Sequence, residues 1–133
     1  MAEKEITTDQ VEPSYFIDLD WLQQNNRSFS ILVRGYLCPR CRERLQEEIS
    51  PDELLTTIKD CCSKTAGFIT NKLPILESIF RLFLANGNQP LEVEELRKQW
   101  SEWYGGDIFL ASAEVLSRLL RDEQYYGIRR VTG

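Results

Sequence analysis

A chain of 133 residues suits one domain or two small halves sharing a core, and with 42% hydrophobic and 28% charged residues it is expected to fold rather than stay disordered. It has no histidine, which excludes a Ser-His-Asp triad, a Cys-His dyad, a histidine proton shuttle and any mixed Cys/His metal site. Sixteen basic against 21 acidic side chains leave a net charge of −5, and neither half of the chain is basic, so bulk charge counts against a strong phosphate binder.

Residues 1–13 are polar, end in Glu12-Pro13, and read as a flexible tail. The short apolar run Tyr15-Phe16-Ile17 precedes Asp18, which is placed to cap a short helix running through Gln24 and ended by Asn25-Asn26. From Phe29 to Tyr36 the alternation of Phe29, Ile31 and Val33 with Ser30, Leu32 and Arg34 predicts a strand. That strand runs into a tight turn, Cys38-Pro39-Arg40-Cys41, with a short helix from about Arg42 to Glu48 behind it. Ser50-Pro51-Asp52-Glu53 is a helix start: serine as N-cap, proline at the first helical position, and Glu53 completing a capping box. The helix carries Leu54, Leu55 and Ile58 inward and reaches Cys61-Cys62 before a break from Ser63 to Gly67.

The remaining chain predicts three helices. Apolar residues cover so much of the segment from Leu73 or Pro74 to Ala85 that it should be buried on nearly all sides. Asn86-Gly87-Asn88-Gln89-Pro90 ends it. The second helix, about Val93 to Trp103, places Leu96, Trp100 and Trp103 on one side. Ser112 caps the third, which runs to about Glu123 with Val115, Leu116, Leu119 and Leu120 as its apolar stripe, and Tyr125 to Val131 reads as a closing strand. No run approaches the ~18 apolar residues of a membrane span, and the first residues lack the apolar stretch of a secretory signal. The expectation is a cytoplasmic protein without membrane contact, whose thiols stay reduced.

Four reduced cysteines read better as metal ligands than as disulfides. A Cys38-x-x-Cys41 turn aims two thiolates into one space, where backbone amides can also bond the sulfurs. Cys61 and Cys62 are adjacent, and neighbours on a continuous helix diverge by about 100°; both can hold one ion only where the helix frays. The Cys-Pro-x-Cys turn resembles a zinc-knuckle or rubredoxin-type turn, which implies Zn2+ on Cys38, Cys41, Cys61 and Cys62. An iron–sulfur cluster is the alternative, because adjacent cysteines ligate clusters in some families. A thioredoxin-type dithiol is disfavoured, since no βαβ pattern surrounds the motif.

The order of three helices, a short loop zone and a closing strand resembles a winged-helix domain over roughly the last 60 residues. In that family the third helix is the recognition helix and a β-hairpin wing follows it. The resemblance implies possible nucleic-acid contacts through Ser112, Ser117, Arg118 and Arg121, with Arg129 and Arg130 reaching phosphates. Trp100, Trp103 and Tyr104 are the candidate anchors for a protein partner. Neither Asp18-x-Asp20, read as capping, nor Gly105-Gly106, read as a turn, carries catalytic chemistry, and no enzyme is expected.

The fold class expected is therefore α+β, mostly α: a flexible tail over residues 1–13, a small metal-stapled half over 14–67, and a winged-helix-like three-helix half over 68–133. The expected function is that of a non-enzymatic zinc-binding regulator or adaptor working through its second half, with a protein partner favoured over DNA. The alternatives are a DNA-binding transcription regulator and an iron–sulfur redox sensor.

Overall fold

The computed structural model describes residues 13–44, 49–70, 72–103 and 111–131. Helices dominate, joined by one small antiparallel sheet, an α+β arrangement. Strand β1 (Ser14–Ile17) leads into helix α1 (Leu19–Gln24), which Asp18 caps by accepting the Trp21 N–H at 3.1 Å. Helices α2 (Phe29–Arg34), α3 (Pro39–Arg44) and α4 (Pro51–Asp60) follow, and a 3₁₀ turn spans Cys62–Lys64. The chain continues with α5 (Ile75–Ala85), β2 (Leu91–Glu92), α6 (Val93–Glu102), α7 (Ala113–Asp122) and β3 (Ile128–Arg130).

The segment predicted as a strand at Phe29–Tyr36 is a helix. A strand face of Phe29, Ile31 and Val33 would bury all three, yet Ile31 is 77% exposed. The buried or half-buried residues are instead Phe29, Leu32, Val33, Tyr36 and Leu37, which is the helical three-and-four spacing. Ser28 supplies the start, its Oγ accepting the Ile31 N–H at 3.2 Å. The next helix also begins earlier than expected. Pro39 takes its first helical position, where a fixed φ and a missing N–H cost nothing, and the Cys38 carbonyl accepts the Arg42 N–H at 2.9 Å. The Cys-x-x-Cys segment is thus the first turn of α3 rather than a loop, and the expected extension to Glu48 falls outside the described residues.

Helix α5 is the centre of the packing. Ile79, Phe80, Leu82, Phe83 and Leu84 are all at or below 1% exposure, and each large apolar side chain buried in this way contributes about 1.5–3 kcal/mol. Around it lie α4, α6 and β1. Helix α6 buries Val93, Leu96 and Trp100, while α7 buries Leu116 and Leu120 one turn apart.

The sheet order is β2-β1-β3, both pairs antiparallel, with Tyr15 opposite Leu91 on one side and Arg130 on the other. The central strand therefore comes from the 14–67 stretch and both its neighbours from the 68–133 stretch, and one buried cluster continues across them. Among the described residues, the strand following α7 pairs with β1 and not with a following strand, so the hairpin wing implied by the winged-helix resemblance is absent there. Two devices hold β1 in place. Asn88 (φ 62°) presents its side-chain amide to Ile17, accepting the Ile17 N–H at 2.8 Å and donating to its carbonyl at 3.0 Å, as a neighbouring strand would. The carbonyl of Gly127 (φ +77°) accepts the Asp18 N–H at 2.8 Å, and a Cβ on Gly127 would stand 2.8 Å from Leu22 Cγ.

Candidate metal centre

The two cysteine pairs converge. All four Sγ atoms of Cys38, Cys41, Cys61 and Cys62 lie within 4.8 Å of one another. Cys41 and Cys61 are 3.3 Å apart, Cys38 and Cys62 3.6 Å, and Cys38 and Cys61 3.8 Å. Four sulfurs about 2.3 Å from one ion in a tetrahedron stand about 3.8 Å from each other, so the cluster is already close to the spacing of a single tetrathiolate ion.

Local structure explains the convergence. Cys38 immediately precedes α3 and Cys41 sits in its first turn, which aims both sulfurs to one side of the helix start. Helix α4 ends at Asp60, before the expected break, and Cys61 (φ −127°, ψ −65°) leaves helical geometry to begin the 3₁₀ turn. The fraying needed for adjacent cysteines to point the same way is thus present at the required residue. Ser63 secures the turn by donating to the Lys59 carbonyl at 2.7 Å.

Burial divides the four sulfurs into two kinds. Cys41 and Cys62 are 0% and 1% exposed, whereas Cys38 and Cys61 are half-buried and line an open concavity with Pro39, Arg40, Arg44 and Lys64. The Cys41 backbone N–H bonds the Cys38 sulfur and, against the opposing effect of burial, brings its pKa down to about 6. Burial pushes the Cys41 thiol up to about 12 and raises Cys62 as well. Burial that disfavours the isolated Cys41 and Cys62 thiolates suits a divalent cation, which would replace their protons and offset part of the sulfur charge. The Cys38 N–H also donates to Cys62 Sγ at 3.2 Å, and the guanidinium groups of Arg40 and Arg44 stand 3.7 Å from Cys61 and Cys41. These donors offset the charge of four thiolates around a divalent ion, which totals −2.

The other candidate residues fare unevenly. Ser112 is used as a cap, its Oγ accepting the Val115 N–H at 3.1 Å. Arg121, Arg129 and Arg130 line one shallow cleft with Trp21, while Ser117, Arg118 and Arg121 line a second with Glu94 and Glu114. Arg129 is engaged within the fold: it donates to the Glu123 carbonyl at 2.8 Å and stacks over Trp21 at 4.6 Å. Trp100, at 2% exposure, belongs to the core because its helix turns it inward, so it is not a partner anchor. Trp103 is 38% exposed and leans on Phe68, and Tyr104 lies outside the described residues.

One residue was missed from the sequence. Glu123, read there only as the end of the third helix, is 3% exposed. Its carboxylate accepts the backbone N–H groups of Tyr125, Tyr126 and Ile128, the last at 2.8 Å, and so shapes the turn between α7 and β3. An acid directly after an apolar stripe and before a Tyr-Tyr-Gly turn was the available sign. No membrane-length apolar helix occurs among the described residues.

Comparison with protein-family models, curated proteins and solved structures finds no significant match to this chain. The reading of function therefore rests on the chain's own geometry.

Proposed function

We propose that Cys38, Cys41, Cys61 and Cys62 hold one structural zinc ion that pins the start of α3 to the end of α4. The protein would be a non-enzymatic, cytoplasmic regulator or adaptor acting through its winged-helix-like second half. The observation that carries the metal reading is the convergence of four sulfurs at 3.3–3.8 Å contacts, within 4.8 Å overall. That spacing favours a single ion over a cluster. In a cluster with two or more irons, cysteines on different irons are held apart by the metal–sulfide core and cannot all share one tetrahedron. Four protein ligands leave no open coordination position, the mark of structural rather than catalytic zinc.

For the second half, the order α5-β2-α6-α7-β3 supports the winged-helix-like reading. A protein partner is favoured over DNA because Glu94 and Glu114 share the cleft of Arg118 and Arg121, and Arg129 is already engaged. Trp103, Val115 and Tyr125 offer exposed apolar surface for docking.

Elemental analysis of protein purified without oxygen, with a visible spectrum of the same sample, tests the centre. About one zinc per chain and no colour is the expected result. Iron with matching sulfide would overturn the single-ion reading, and absence of any metal would overturn the centre itself. A steep fall of DNA affinity with added salt, together with its loss on Arg118→Ala, would replace the adaptor with a DNA-binding regulator.

A further inference from the structure

We infer that Cys61 is an oxidation point for peroxide and that Cys41 resolves it, so that oxidation bridges these two residues and releases the ion. The released ion rests on the zinc reading; the choice of sulfurs rests on geometry alone.

Two observations select Cys61 as the sulfur attacked. Only Cys38 and Cys61 among the four line the open concavity, so only these meet a small oxidant from solvent. Of these two, Cys61 faces Arg40 Nη2 at 3.7 Å, a cation placed to stabilise the hydroxide that leaves.

A third observation selects the resolving partner. Displacement at a sulfenic sulfur proceeds from the side opposite its oxygen. With that oxygen directed into the concavity, the attacking sulfur must come from the protein side of Cys61. Cys41 Sγ is there, fully buried and at 3.3 Å, the shortest of the sulfur contacts given above.

The steps balance. The Cys61 thiolate attacks one oxygen of hydrogen peroxide, forming S–OH and expelling hydroxide. The Cys41 thiolate then attacks the Cys61 sulfur, forming the S–S bond and expelling a second hydroxide. Two thiolates lose two electrons in all, peroxide gains them, and the ion is left with only Cys38 and Cys62 as ligands.

The test treats the metal-loaded protein with equimolar hydrogen peroxide and alkylates the remaining thiols under denaturing conditions. Peptide mass spectrometry then locates the bridge. Trypsin separates Cys38 from Cys41 after Arg40, and fragmentation separates Cys61 from Cys62. The expected result is a Cys41–Cys61 bridge with Cys38 and Cys62 alkylated and one ion released per bridge, read with a chromogenic chelator. A bridge lacking either Cys41 or Cys61, recovery of Cys61 as thiol or sulfinic acid, or retention of the ion beside the bridge overturns the inference. The same mapping on protein stripped of metal separates the two readings. A Cys41–Cys61 bridge there supports the choice of sulfurs even where purified protein proves to hold no ion, and a different bridge overturns it.

Discussion

Stripping the metal should lower the stability of this protein by about 3–4 kcal/mol. Two limits bracket the effect. Cys41 and Cys61 are 20 residues apart in sequence; an ion that stayed on the unfolded chain would act as a cross-link over that loop, stabilising by about 3 kcal/mol through restriction of the unfolded ensemble. An ion that leaves on unfolding stabilises by mass action instead, about 4 kcal/mol when free metal stands about a thousandfold above its dissociation constant. At a urea dependence of about 1.5–2 kcal/mol per molar, either limit moves the midpoint by about 2 M. The assay is urea unfolding of metal-loaded and chelator-treated protein under reducing conditions, followed in parallel by far-ultraviolet circular dichroism and tryptophan fluorescence. Both probes should shift together, since one buried cluster runs from Cys41 and Cys62 through α5 to β3. Cys62→Ser, at a site 1% exposed, should reproduce the loss without chelator. Equal midpoints in samples whose metal loss has been verified would refute the staple.

Two further outcomes follow from the packing. Glu123→Ala removes the acceptor of three backbone N–H groups at a site 3% exposed, and should cost about 2–5 kcal/mol in urea unfolding while leaving metal content unchanged; a cost below about 0.5 kcal/mol would show that water serves that turn equally well. Ile31→Lys should change stability by less than about 0.5 kcal/mol and Val33→Lys by more than about 3 kcal/mol, because α2 turns the first outward and the second fully inward. Equal, large losses at both positions would restore the strand.

Much of the helical architecture was legible because it depends on near neighbours. Asp18, Ser50 and Ser112 each accept an N–H three residues on, a contact that one turn of chain encloses. The all-round apolar character of α5 likewise required its burial, whatever packed on it. Where local reading failed, at Phe29–Tyr36, two local patterns competed. β-Branched Ile31 and Val33 suggested alternation, but the Ser28 cap and the longer spacing through Leu37 favoured helix, and burial against α4 and the rest of the core decided it.

The candidate site was legible only in part. Residue type and the absence of histidine marked four cysteines as candidate ligands, and the 38/41 spacing marked one candidate half-site. Whether Cys61 and Cys62 could face the same ion depended on where α4 ends, a question settled by the packing of that helix against α5 and the turn that follows. The sheet lay further from view. Tyr15-Phe16-Ile17 is an unremarkable apolar run until Leu91–Glu92 and Ile128–Arg130 come to its two edges, with Asn88 closing one end from 71 positions away. Glu123 reads as one more surface acid until the backbone of its turn closes over it. By itself the sequence determined the Asp18, Ser50 and Ser112 caps, the all-round apolar character of α5 and the candidate ligand set, since each is set by residue type or by interactions within a turn or two of chain. Tertiary structure alone decided the central place of β1, the burial of Glu123 and the meeting of the two cysteine pairs, because each of these requires groups to be brought together by the packing of the whole core.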